Sequence, residues 1–112
     1  AFMAAAASGG VTAPTSLANV LARAAAGPQT LAEAMSAPRT HYAGVPDKVF
    51  VETEMPDETV SALRAYGHDV VRTNSIGRVA AVFCPSGIPV KENLSCSSAT
   101  DPRGFGIALG GN

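Results

Sequence analysis

The sequence predicts a mixed α/β fold (α+β in the finer division), and three observations carry that expectation. Runs of strand composition recur at Phe2–Ala7, Val49–Glu54, Asp69–Arg72 and Arg78–Phe83. Three amphipathic stretches lie among them, and glycine or proline stands at most of the junctions. The chain has 112 residues, enough for a single domain over 1–112 or for a piece of a larger one.

Taken in order, Phe2–Ala7 has the small apolar composition of a strand buried on both faces; alanine is a poor strand former, and the glycine corner that follows decides for a strand. Ser8-Gly9-Gly10 turns the chain into a helix that Thr12 is expected to cap, with Pro14 in its first turn. Leu17, Val20, Leu21 and Ala24 form its apolar stripe, and Gly27-Pro28 ends it. This helix should lie on a sheet. Thr30-Leu31-Ala32-Glu33 is a capping box, which opens a short helix that stops before Pro38. Arg39, Thr40 and His41 then enter a loop through Gly44 and Pro46. Arg39 is expected to bind the last carbonyls of the preceding helix, and His41 to be a satisfied hydrogen-bonding group.

Val49–Glu54 reads as a strand, in which Glu52 and Glu54 share one face. That spacing suits paired carboxylates, but an exposed acidic face is the expectation. Asp57 should cap a third helix with Val60, Ala62 and Leu63 as its apolar face, and Gly67 should stop it. Asp69–Arg72 and Arg78–Phe83 are strands parted by Asn74, Ser75 and Gly77. Pro85-Ser86-Gly87 is a turn, and the segment from Ile88 to Ser98 is expected to add a short strand around Val90.

Composition narrows the function. Eight basic residues against nine acidic ones leave a net charge of −1, without the basic patch that nucleic acid or an anionic membrane would require. No stretch reaches the roughly 20 apolar residues of a membrane span. Neither histidine sits at metal-ligand spacing from a cysteine, so no metal or cofactor is expected. Cys84 and Cys96 permit one bridge at most; a disulfide in an oxidising compartment and two buried thiols both fit. Hydrophobic residues make up 46% of the chain, but alanine dominates them and there is no tryptophan. Burial is worth about 25 cal/mol per Å² and ordering a residue costs about 1–2 kcal/mol, so so lean a core should need a neighbour.

The stretch that organises the rest is Ser8-Gly9-Gly10. Alone it is a tight corner of the ordinary kind, for which glycine is the default. It is followed by Leu31-Ala32-Glu33-Ala34-Met35-Ser36-Ala37-Pro38-Arg39-Thr40-His41, by Val49-Phe50-Val51-Glu52 and by Thr100-Asp101-Pro102-Arg103-Gly104-Phe105-Gly106. In that order and spacing these pieces resemble the C-terminal part of the γ-glutamyltranspeptidase family, over nearly the whole chain.

The resemblance implies a fragment of the N-terminal-nucleophile hydrolase fold, an αββα sandwich with mostly antiparallel sheet and, here, about three helices. It implies a precursor that cuts itself into a large and a small subunit, exposing a threonine that attacks γ-glutamyl amides such as glutathione and passes the acyl group to water or an amine. Gly9 and Gly10 match the family's oxyanion-hole pair. Residue 1 is alanine and not threonine, and the residues that grip the substrate's α-amino and α-carboxylate groups are expected upstream. The expected partners are therefore the large subunit, the N-terminal part of the small subunit and a glutathione-like substrate. Further copies of the chain are also expected, with the alanine-rich first strand as the pairing edge. Like typical family members, the protein would be periplasmic or secreted; since the chain begins without methionine, any targeting signal is expected upstream. The Cys84–Cys96 loop and Val11-Thr12-Ala13-Pro14 depart from the family pattern, which leaves room for a related acylase with another amide substrate. A freestanding assembly or ligand-binding module without catalysis is the reading from a different class.

Overall fold

Nine regular elements follow one another in the computed structural model, which describes residues 2–87 and 96–109. They are β1 (Phe2–Ser8), α1 (Ala13–Ala26), α2 (Leu31–Ser36), β2 (Thr40–His41), β3 (Val49–Glu52), α3 (Asp57–Ala65), β4 (Val70–Thr73), β5 (Arg78–Cys84) and β6 (Ser97–Thr100). The strand expected around Val90 falls outside the described residues; β6 begins at Ser97.

The strands form two three-stranded sheets. In the first, β5 is central and pairs antiparallel with both β1 and β6, with Phe2 opposite Cys84, Ser8 opposite Arg78 and Ala80 opposite Thr100. In the second, β3 is central, antiparallel to β2 and parallel to β4. Three of the four pairings are thus antiparallel. β1 is an edge strand because only β5 pairs with it, and pairing is what holds its alanines extended against their helical preference.

Helices α1 and α2 cover one face of the first sheet. Val20 and Ala24 from α1, Leu31, Ala34 and Met35 from α2, and Val79 and Ala81 from β5 make the main core, with Met3, Ala5 and Ala7 packed against it. The opposite residues of β1, Phe2, Ala4, Ala6 and Ser8, are exposed, so β1 is buried on one face and not on both. Strand alternation produces this result whenever only one side has a cover. A second, smaller core joins Val51, Met55, Val60 and Val70 between α3 and the second sheet; Leu63 flanks it, while Ala62 is exposed.

Two expected helix caps differ in position or role. Thr12 occupies the N-cap of α1, but its hydroxyl donates backwards to Gly9 O across a 3-10 turn and caps nothing. Asp57 is the first residue of α3, not its cap; Pro56 precedes it and the Asp57 carboxylate pairs with Arg72. The capping box at Thr30 and Glu33 is complete, with both reciprocal bonds formed. Gly67, at φ 96°, ends α3 in the left-handed region.

Residues 40–41 are strand and not loop. Thr40 and His41 pair with Val51 and Phe50, and the Asn19 side chain of α1 closes the other edge by bonding both the Thr40 carbonyl and its N–H. Cys84 and Cys96 form a disulfide that ties the end of β5 to the approach to β6. Closing a loop of 12 residues removes freedom from the unfolded chain. Replacing both cysteines by alanine is expected to lower stability by on the order of 2–3 kcal/mol, read from the urea midpoint.

Candidate functional site

The glycine corner joins β1 to α1 through backbone that only glycine adopts freely. Gly9 has φ 131° and Gly10 φ 60°. A Cβ on Gly9 would lie 2.6 Å from Thr12 Oγ1 and 2.9 Å from Gly77 Cα, whereas one on Gly10 would meet nothing within 4 Å. Gly9 is therefore fixed by close packing and Gly10 faces open space. The Gly9 carbonyl accepts from Thr12 N at 3.1 Å and Thr12 Oγ1 at 2.7 Å, and the Gly10 carbonyl accepts from the Ala13 N–H. Among the described residues, these turn bonds do not use the N–H groups of Gly9 or Gly10. Beside the corner lies an open depression of about 450 Å³ bordered by Ser8, Gly9, Thr12, Ser75, Gly77 and Arg78.

Behind the corner runs a chain of buried polar contacts. Ser16, fully buried on α1, places its hydroxyl 2.7 Å from Thr12 O and 2.9 Å from Ile76 O. Gly77 packs directly on it: a Cβ there would fall 1.9 Å from Ser16 Oγ. The segment leading into β5 is thus pressed against the start of α1, and Gly9 rests on Gly77.

That segment is held by four charged residues from distant parts of the sequence. Arg39, Glu52 and Asp101 are 0%, 1% and 4% exposed. Glu52, at the end of β3, accepts from the Ile76 N–H at 2.9 Å, from the Arg39 N–H at 2.8 Å, and from both Nε and Nη2 of Arg103. Asp101 receives Arg39 Nη1 at 2.7 Å, the Val79 N–H at 2.9 Å, and the Arg103 N–H and Nη1 at 3.0 and 2.9 Å. Further guanidinium donors go to carbonyls. Arg39 reaches Ile76 O at 3.1 Å and Met35 O at 3.0 Å; Arg103 reaches Met35 O at 2.9 Å and Ala37 O at 3.0 Å. Both arginines therefore close the end of α2, the structural role expected for Arg39. Among the described residues, Arg39 Nε is a buried side-chain nitrogen without a partner.

Glu52 corrects the expectation of an exposed acidic face. Glu54 lies in the turn after β3 and is exposed, while Glu52 is the hub of the buried cluster. Period-two spacing could not distinguish them, because the strand ends between the two. Asp101 and Arg103 carried weight in the sequence only as part of a familiar string; that they meet Arg39 and Glu52 is a product of the fold. His41 is a satisfied group, with Nδ1 2.7 Å from Thr15 Oγ1 and its ring 6.3 Å from that of Phe50. Among the described residues no group of histidines, cysteines and carboxylates is arranged to hold a metal.

The charge balance of the cluster follows from competition between burial and pairing. Burial pushes the Glu52 carboxyl up, but Arg103 and the Ile76 and Arg39 N–H groups outweigh it and hold the pKa below the usual carboxylate range. Burial likewise raises Asp101, and the N–H and side chain of Arg103, with Arg39 and the Val79 N–H, reverse it. Arg103 is raised, since Glu52 and Asp101 overcome its burial. Arg39 is lowered, because burial exceeds what Asp101 returns and Arg103 adds repulsion.

The sequence profile described as gamma-glutamyltranspeptidase matches residues 1–111. Curated protein sequences gave no match. Among solved structures, an acivicin-inhibited gamma-glutamyltranspeptidase superposes with a TM-score of 0.80 at 27% identity, over 91% of this chain and 53% of that one. The T380A mutant of the Helicobacter pylori gamma-glutamyltranspeptidase gives 0.78 at 26% identity, over 92% and 54%. The Bacillus anthracis transpeptidase CapD gives 0.76 at 19% identity, over 97% and 63%, a likeness of fold. The chain spans about half the length of the first two. The mixed fold with three helices is accordingly that of the N-terminal-nucleophile hydrolases.

The cluster makes stability depend on acid with a definite sign. Glu52 and Asp101 have lower pKa values folded than in the unfolded chain, where carboxyls titrate near about 4. Their contribution is complete above that unfolded value and is lost as pH falls through the folded values. Urea midpoints should be flat from about pH 5 to 8 and fall steeply below about pH 4. Glu52→Gln should flatten part of this slope and cost roughly 3 kcal/mol at neutral pH, because Arg103 keeps its charge and loses one of its two carboxylate partners.

Proposed function

The chain belongs to the γ-glutamyltranspeptidase family, and from this we propose that it forms the distal part of an enzyme that transfers γ-glutamyl groups, supplying scaffold and an oxyanion-stabilising corner. The observation that carries the reading is the Gly9–Gly10 corner, with two backbone N–H groups outside its internal bonding and open space in front of Gly10. In reactions of this class a hydroxyl adds to an amide carbonyl, the C=O π electrons move onto oxygen, and donors aimed at that oxygen lower the barrier. The C–N bond then breaks, the amine leaves with a proton, and water or an acceptor amine releases the acyl group. In this reading the nucleophile and the groups that grip the substrate's α-carboxylate and α-amino group come from residues outside these 112. Glutathione-like γ-glutamyl amides are the proposed substrate.

The position of the corner supports the role. It sits at the start of a helix of 14 residues, whose N-terminal end favours developing negative charge. The buried cluster reaches it through Ile76 and Gly77, which gives the donors a rigid backing. The exposed small-residue face of β1 and the exposed Phe105, Ile107 and Leu109 suit cover by the remainder of the polypeptide. Without that cover, association between copies of the chain through the β1 edge is the expected substitute.

Two outcomes test the reading. The isolated 112-residue chain should release no product from a γ-glutamyl anilide; hydrolysis that disappears on mutation of one of its own serines or threonines would overturn the division of labour. In the complete protein, Gly10→Ala meets no atom within 4 Å and strains the backbone at φ 60° by only about 1–2 kcal/mol, so it should fold, and it should reduce turnover by about 10² by crowding the reacting carbonyl. Ordinary turnover in folded Gly10→Ala would reduce the glycines to turn geometry.

A further inference from the structure

Resting on the reading of Gly9 and Gly10 as an oxyanion corner, the geometry also points to the residue that aims it. Two consecutive glycines are the most permissive backbone a chain can have, so a donor placed on them has no inherent direction. Direction has to be imposed from outside. The Gly10 N–H belongs to the same planar peptide unit as the Gly9 carbonyl, and because the cis bond among the described residues is Val45–Pro46, the Gly9–Gly10 peptide is trans. In a trans unit the carbonyl and the N–H point opposite ways, and turning one turns the other.

The Gly9 carbonyl is held from one residue. Thr12 N donates to it at 3.1 Å, the closing bond of the 3-10 turn that any residue other than proline at position 12 would supply. Thr12 Oγ1 donates to it at 2.7 Å, which requires a side-chain donor. The hydroxyl stands at the N-cap of α1, where a threonine ordinarily serves the helix, yet it makes no capping bond. Thr12 is itself anchored: its carbonyl lies 2.7 Å from the buried Ser16 hydroxyl, which also meets Ile76 O, the atom gripped by Arg39.

We propose that Thr12 is a positioning residue for the transferase reaction: by pinning the Gly9 carbonyl through its hydroxyl, it fixes the direction of the Gly10 N–H toward the oxygen on which charge develops. The residue touches no reacting atom. Its effect passes through one peptide plane, and it should appear in the chemical step and not in substrate binding.

Steady-state kinetics of the complete protein on a γ-glutamyl anilide decide the matter, using Thr12→Val, Thr12→Ser and Gly10→Ala. Valine keeps the shape and loses the donor; serine keeps the donor. Thr12→Val should lower kcat by about 10-fold to 100-fold, between a loosened donor and a lost one, with KM nearly unchanged. Thr12→Ser should restore most of the loss. Should the valine variant fail to fold, Thr12→Ala asks the same question without the branched side chain. Wild-type kcat in Thr12→Val beside an impaired Gly10→Ala would overturn this inference and leave the oxyanion reading standing. Wild-type kcat in both would overturn the two together. A parallel change in kcat and KM with a lowered thermal midpoint, not restored by serine, would make Thr12 a structural residue only and would equally overturn the proposal.

Discussion

Where the two sheets meet, two guanidinium groups and two carboxylates are shut away from water in one alternating cluster. Glu52 comes from the second sheet, Asp101 and Arg103 from the turn after the last strand of the first, and Arg39 from the link between α2 and β2. Each is nearly useless alone, since an unpaired buried charge would cost several kcal/mol. Together they satisfy one another, close the end of α2, and bind the backbone of Ile76 on both its N–H and its carbonyl. Such clusters repay their desolvation only when the geometry is good, so what this one chiefly contributes is a unique placement of four chain segments. The two apolar cores lie on separate sheets and share no buried residue. Neither core could set the position of one sheet against the other with directional bonds of this kind.

The consequences run forward from Ile76 to the surface. Once Ile76 is fixed, Gly77 is fixed with it, and Gly77 is the floor on which Ser16 and Gly9 rest. The Ser16 contact leaves no room for a side chain at 77, and Gly77 Cα leaves none for a side chain at 9. Small residues at 9, 16 and 77 are therefore one requirement and not three: the backbone of the β1–α1 corner must come down onto the backbone that leads into β5. A corner supported in this way is stiff even though glycines form it. Stiffness is the property a site needs when it acts by presenting donors to a charge that exists only in the transition state.

The apolar chemistry of the chain has a different character. Alanines on β1 let the strand lie close to its neighbour but bury little surface per residue, and the other face of β1 is exposed. The solved family members align with this chain over about half of their own length.

Much of this was legible in the sequence, for local reasons. The capping box at Thr30, the stop at Gly27-Pro28 and the left-handed stop at Gly67 are all decided by groups within a few residues of one another, and the structure has them where the spacing puts them. The family, too, was readable, because its motifs are strings. Two of the misreadings share one cause, which is that the deciding partner is far away along the chain. Thr40 and His41 are strand because Asn19 and Phe50 are beside them, and Glu52 is buried because Arg103, 51 residues later, reaches it. Thr12 is the local exception: the 3-10 turn sets its hydroxyl on the Gly9 carbonyl three residues back, and it makes no capping bond. The sequence by itself determined most of the elements, their class and the family, but not strands β2 and β6. Only the tertiary structure decided which polar side chains meet, because that depends on how two sheets settle against each other, and no period in the sequence records the distance between residues that touch only after folding.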